Sequence, residues 1–416
     1  MGSANAEAAL PARSTAKSGV LLLVANYRPD VGYAWWLMEN FWIQFAAVAS
    51  KRGLTPVIAY PTHGTVPDNI QKAGIQTIVL PVPTRGWSGL FAALRFMVRH
   101  RVHTIYFTDR QFTSFHHVLY RVAGVRWILN HDHTPGDRPP VRGLKGFLKA
   151  VWRRLPLASC DLQFCVSPLI RERAVHNARI PARKTAVVQN GIRPFDHTMD
   201  PTYARTTFGL PDDSILVVTV GRAHPYKRID FVIEAAACHI RRYPDSRAHF
   251  VYCGDGPDMP RLRALARQKG LEGRFIFAGK RSDVDKILCS SHIAVHAAQG
   301  EAFSLAVLEY MSAGLAVLVP DIPSVSQAVR HGVSGIIYRD GDSEGVAEEL
   351  SRLIAEPARR EALGGAARAE VIERYSFTQM NETFTRLVSR YAGAFQTPVA
   401  SPTDAESLSP GRVAGP

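Results

Sequence analysis

Short apolar runs separated by longer amphipathic stretches recur through the first half of the chain: GVLLLVA (19–25), TPVIAYP (55–61), TIVLPV (77–82), TIYFTD (104–109) and WILNHD (127–132). Runs of this length, rich in Val, Ile and aromatic residues, predict strands buried on both faces. The segments between several of them, such as YAWWLMENFWIQFAAVASKRG (33–53) and GLFAALRFMVRHR (89–101), are helix-like. Strands alternating with helices predict a parallel sheet, whose ligands gather at the carboxyl ends of the strands. The rhythm restarts after GLPDDS (209–214), with strands predicted at ILVVTVG (215–221), AHFVYCG (248–254), FIFAG (275–279) and IAVHAA (293–298). Between them lie the helical stretches RIDFVIEAAACHIRR, MPRLRALARQKG and DVDKILCSS. The pattern therefore predicts two α/β units with a boundary between residues 195 and 210.

Composition narrows the class. A chain of 416 residues is long enough for two separate cores, and 46% apolar with 21% charged residues is the balance of a folded globular protein. No run approaches the roughly 18 apolar residues needed to cross a bilayer. GVLLLVA lacks a cleavage pattern and reads as a first strand rather than a signal peptide, so a cytoplasmic location is expected. The five cysteines contain no CxxC pair and read as reduced thiols. Residues 1–17 and the tail 396–416 are small, polar and Pro-rich, the composition of disordered segments.

Charge changes the picture more. Residues 1–195 carry 25 Lys and Arg against 9 Asp and Glu, a net of +16, whereas residues 196–416 carry a net of −2. The first half is thus expected to meet something anionic: a membrane surface, a phosphorylated acceptor, an acidic polymer or nucleic acid.

Candidate chemistry lies at predicted strand ends of the second unit. In VGRAHPYKR, Arg222 offers a planar fork and Lys227 a mobile point charge, a pairing suited to a diphosphate. Gly254 in YCGDGP provides a tight turn. In GEAFSLAVLEYMSAG (300–314), Glu301 precedes a helix and Glu309 sits about two turns inside it. Two carboxylates facing polyols with cations between them suit a nucleotide sugar.

These motifs, in this order, resemble the retaining glycosyltransferases of family four, also called glycosyl transferases group 1. The resemblance runs through VGRAHPYKR, CGDGP, FAGK, AAQGEAFSLAVLEYMSAGLAVLVPDIPSVSQAV and HGVSGIIY, and in the first half through NHDHTPG, CDLQFCVSPLIRE and VVQNGIRP. It implies the GT-B fold, two Rossmann-like domains whose parallel sheets face each other across a cleft. The implied division is an amino-terminal acceptor domain at 18–200, a nucleotide-sugar domain at 201–375, and a helix at 376–395 returning to the first domain.

Carried over by residue, Glu301 binds donor-sugar hydroxyls, Glu309 the ribose hydroxyls, and Arg222 with Lys227 the diphosphate. The backbone of Phe303, Ser304 and Leu305 cradles the distal phosphate and sugar, and Gly254 and Lys280 of FAGK complete the donor side. His131 faces the sugar from the first domain, with Asp132 and Tyr33 near the acceptor. Two departures stand out: the usual Gly-Gly loop after the first strand is YRPDVGYAWW, with Gly32 alone, and the usual Glu-Gly-Phe-Gly is Glu301-Ala302-Phe303-Ser304.

The expected activity is transfer of a sugar from a UDP- or GDP-sugar to a lipid-linked, phosphorylated or polysaccharide acceptor, with retention and with no further cofactor, metal or nucleic acid. A nucleotide-sugar epimerase or hydrolase of the same fold, or a basic membrane or nucleic-acid binding module, are the alternatives. HDH (131–133) is poor metal geometry. In DVD (283–285), Ser282 is expected to cap a helix with Asp283 in its first turn. In RGLKGFLKAVWRR (142–154), Leu144, Phe147, Leu148 and Val151 share a helical face, while Arg142, Lys145, Lys149, Arg153 and Arg154 lie largely elsewhere. That is an interfacial pattern, but an ordinary core-facing helix with a solvated basic side looks the same and is favoured for a single helix.

Overall fold

Val20–Val24 (β1) is buried at every position, as the unbroken apolar run predicts for a strand covered on both sides. Leu22 and Val24 pack into one apolar cluster and Leu21 and Leu23 into another, the period-two alternation of a strand dividing two cores. The computed structural model describes residues 19–30, 35–82, 86–136, 139–196 and 198–392. Gly32, Tyr33, the amino terminus 1–17 and the tail 396–416 lie outside the described residues.

The first sheet has seven strands: β1, Thr55–Tyr60 (β2), Gln76–Val79 (β3), Val102–Thr108 (β4), Trp127–Asp132 (β5), Leu162–Cys165 (β6) and Thr185–Val187 (β7). The second has six: Ile215–Val220 (β8), Ala248–Cys253 (β9), Phe275–Gly279 (β10), Ile293–Val295 (β11), Ala316–Pro320 (β12) and Ile336–Tyr338 (β13). The strand pairs are parallel, in the orders β3-β2-β1-β4-β5-β6-β7 and β10-β9-β8-β11-β12-β13. Each order reverses once, between β1 and β4 and between β8 and β11. Those reversals are where a doubly wound sheet opens a crevice at its strand ends.

The last helix, Phe377–Val388, packs on the first sheet beside the helix Trp35–Ser50. Phe384 stands at the centre of an aromatic cluster, 4.8 Å from Phe41, 5.5 Å from Phe164 and 5.9 Å from Tyr106 between ring centroids. The chain runs from one sheet to the other at two adjacent places. Ile192 donates its N–H to the Tyr375 carbonyl (3.0 Å) and accepts from the Phe377 N–H (2.9 Å). Gly191 is required there, because a Cβ would lie 2.6 Å from the Ser376 carbonyl oxygen.

Two expectations need correction. Asp283 does not help to cap the helix Val284–Cys289, whose start has no side-chain cap bond. Its carboxylate turns back to accept from Arg281 (2.8 and 2.5 Å) and from the Tyr203 hydroxyl (2.6 Å), contacts that hold its pKa down to about 2. The helix Gly143–Trp152 is not core-facing: Gly146 is its one buried residue, and Leu144, Phe147, Leu148 and Val151 are exposed. Among the described residues no helix is long and apolar enough to cross a membrane, and all five cysteines are free.

Candidate active site

The loops after β8 and β11 flank the reversal in the second sheet, and they are tied together. The Gln299 N–H donates to the Tyr226 carbonyl (2.9 Å), and Lys227 forms an ion pair with Glu301. His296, at the end of β11, places Nε2 3.5 Å from the Glu301 carboxylate and 3.4 Å from Ser304 Oγ. Burial alone would raise the Glu301 pKa, but the Lys227 charge and the His296 contact outweigh it and bring it down to about 2. Burial lowers the His296 pKa, so the imidazole is neutral and orients the carboxylate by hydrogen bonding. His296 had no place among the sequence candidates, although it stands at a strand's carboxyl end five residues before Glu301.

The helix Leu305–Ser312 begins in this cleft. Ser304 caps it by accepting from the Val307 N–H (3.4 Å), leaving the first-turn N–H groups of Leu305 and Ala306 available to an anion. Phe303 contributes backbone only, since its ring is buried 5.5 Å from Tyr375. Tyr310 locks the helix to the end of β8 through its hydroxyl, which accepts from the Val220 N–H (2.6 Å). The Glu309 carboxylate, one residue earlier, has no hydrogen-bond partner among the described residues. Burial pushes its pKa up to about 7, against the opposing pull of Lys227.

The Arg222 guanidinium is exposed on the loop after β8 and bonds to nothing among the described residues. Gly254 is pressed against that loop: a Cβ there would lie 1.8 Å from the Gly221 carbonyl oxygen. Lys280 follows β10 at the sheet edge, exposed, and no contact joins it to the Lys227–Glu301 cluster.

From the first domain, the loop after β5 reaches the same place, with the Gly136 Cα 3.4 Å from where a Cβ on Gly300 would stand. His131 does not face the cleft. Alternation along β5 turns it, with Leu129, toward the helices Trp35–Ser50 and Phe377–Val388. There it is fully buried, its Nδ1 2.6 Å from the Tyr106 hydroxyl and its ring 4.6 Å from Phe41. The histidine at the loop edge is His133, part-exposed, with its ring 4.2 Å from His131 and Nε2 unpartnered among the described residues. Burial lowers the His133 pKa to about 4, so it is neutral near pH 7.

Asp132 anchors this loop. Its carboxylate meets Arg173 (3.3 Å), Gln163 Nε2 (3.3 Å) and the Thr134 N–H (3.1 Å), while Arg173 also donates to the Thr134 carbonyl (3.0 Å). Beside it opens a cavity of about 480 Å³, lined by Arg110, Lys149, Arg153 and Arg173 among others. Among the described residues no cluster of three or more His, Cys, Asp or Glu side chains is arranged to hold a metal.

Two Rossmann-like sheets, a cleft between them and a cation–carboxylate cluster at the switch point of the second define the GT-B class of fold. Residues 203–370, within the second domain, match the family model of glycosyl transferases group 1. It is 24% identical over 176 residues to N-acetyl-alpha-D-glucosaminyl L-malate synthase of Bacillus anthracis, covering 42% of this chain and 45% of that one. The chain spans about half the length of the curated relatives it matches. A glycosyltransferase of Rickettsia africae superposes with TM-score 0.74 at 16% identity, over 90% of this chain and 99% of that one. HepE of Anabaena in complex with UDP gives 0.68 at 19% identity, over 89% and 100%.

Proposed function

We propose that this protein transfers a sugar, with retention of anomeric configuration, from a nucleotide-sugar donor in the second domain to an anionic or lipid-linked acceptor in the first. The observation that carries the reading is the Lys227–Glu301 pair at the β8/β11 switch point, with Glu309 unpartnered on the helix below. Lys227 and Arg222 neutralise the diphosphate, which also meets the amino terminus of the helix Leu305–Ser312. Ionised Glu301 accepts from donor-sugar hydroxyls, and Glu309 from the ribose diol. His133 faces the sugar from the first domain.

In the transfer itself the bond from the anomeric carbon to the phosphate oxygen breaks. The acceptor oxygen bonds to the same face of that carbon, and its proton passes to the departing phosphate. No protein nucleophile is required, and the engagement of Glu301 with Lys227 and His296 suits a binding role. The cationic cavity beside Asp132 supports an acceptor carrying phosphate or carboxylate. A fold of the same kind holds UDP in HepE, which supports a nucleoside diphosphate carrier.

Thermal unfolding with UDP, GDP, ADP and dTDP and their sugar conjugates tests this. A ligand at about 100 times its Kd stabilises the native state by about 2.7 kcal/mol. One nucleotide series is expected to raise the melting midpoint, and the shift to shrink in Glu309→Ala. No shift with any series, in a protein that melts cooperatively, overturns the reading.

A further inference from the structure

The helix Gly143–Trp152 and the turn after it present an apolar face to solvent. Leu144, Phe147, Leu148, Val151, Trp152 and Leu155 are between 41% and 73% exposed. At 100° per residue these six fall within an arc of about 140°. The opposite side carries Gly146, the one buried residue of the helix, pressed against the Val141 carbonyl oxygen of the segment that leads into it. Lys149 and Arg153 turn inward and line the cavity beside Asp132. The exposed cations Lys145 and Arg154 fall at the two edges of the apolar arc, and Arg142 sits at its start.

We infer that this face is a docking surface for an anionic lipid bilayer, on which the helix lies parallel to the membrane with its apolar arc among the acyl chains. A contiguous apolar face of this size on a soluble domain marks a contact surface, and the flanking charges choose the contact. Lys145, Arg154 and Arg142 meet lipid phosphates at headgroup depth, in a half of the chain whose net charge is +16. A second copy of the chain is the poorer occupant, since a two-fold pairing of this face sets these cations against their own symmetry mates. The far side of the same helix borders the cavity, so a headgroup displayed at the bilayer surface stands next to it. The inference rests on the surface alone and holds whatever the chemistry of the cleft.

The test is co-sedimentation of the full chain with vesicles of phosphatidylcholine alone or mixed with phosphatidylglycerol, over a salt titration. Two double variants accompany the wild type, Phe147→Glu with Leu148→Glu and Lys145→Glu with Arg154→Glu. All four positions are exposed, so melting midpoints are expected to stay close to that of the wild type. The wild type is expected to sediment with anionic vesicles, less so as salt rises, and each double variant to lose about tenfold or more of that affinity. Equal sedimentation of wild type and folded variants overturns the inference, as does a wild type that anionic vesicles do not retain. A wild-type dimer that Phe147→Glu dissociates, with vesicle binding unchanged, assigns the face to a second copy and overturns it equally.

Discussion

Lys227 and Glu301 are 74 residues apart in sequence and form an ion pair across the crevice of the second sheet. Each belongs to a loop leaving a central strand, so the pair fixes how far apart those two loops stand. On the proposed function, a diphosphate entering the crevice meets a cation already positioned by Glu301. In Lys227→Met, nucleoside diphosphate affinity is expected to fall by about 10- to 100-fold, the scale of one charge-assisted contact, as read by calorimetry.

The same pair sets an acid limit. The Glu301 pKa is depressed in the folded chain, so its contribution to stability is present above the unfolded value of 4.5 and is lost as pH falls toward about 2. Lys227→Met leaves Glu301 buried without its counter-charge, and the variant is expected to lose less stability than the wild type across that window in pH-dependent melting.

Glu309 behaves in the opposite sense. Its raised pKa means that the folded state holds the proton more tightly than the unfolded chain, so stability is greatest below 4.5 and declines as pH rises toward about 7. Glu309→Gln is therefore expected to melt above the wild type at pH 8 and close to it at pH 4. Nucleotide affinity of the wild type is expected to climb through pH 6 to 8 as the carboxylate ionises, and that climb to vanish in the variant.

The two histidines at the end of β5 separate cleanly. His131→Ala removes a ring from an aromatic cluster and leaves the Tyr106 hydroxyl without its partner, costing about 2–4 kcal/mol of stability. His133→Ala is expected to leave the melting midpoint within a few degrees of the wild type and to lower kcat for transfer by about 10²-fold or more while donor affinity is kept.

Gly254→Ala tests the close packing of the β8 loop. A Cβ there would overlap the Gly221 carbonyl oxygen and reach within 2.6 Å of the Tyr252 hydroxyl, so the loop carrying Arg222 and Lys227 must shift. The expected cost is about 1–3 kcal/mol, read in the melting midpoint, with weaker donor binding alongside it.

Much of this architecture is legible in the residues because parallel strands covered on both sides must be apolar at every position. Val20–Val24 and Ala248–Cys253 announce themselves for that reason. The meeting of Lys227 with Glu301 is legible because both follow strand ends flanking the reversal of the second sheet. Parity was harder to read: one step along β5 separates the side that carries Asp132 from the side that buries His131, and the motif does not say which side meets the cleft. Asp283 shows a local competition that spacing does not resolve, since a helix start and Arg281 both offer donors to one carboxylate. Periodicity revealed the apolar face of Gly143–Trp152, but what covers a face depends on the rest of the fold.

The return of Phe377–Val388 to the first sheet reverses the order in which this molecule can be completed during synthesis. Phe384 fills the middle of a core whose other members, Phe41, Tyr106 and Phe164, emerge from the ribosome more than two hundred residues earlier. The second domain is continuous in sequence and has all its strands by Tyr338. The half of the protein made first must therefore wait, its hydrophobic interior open, until the helix Phe377–Val388 has been made and can close it.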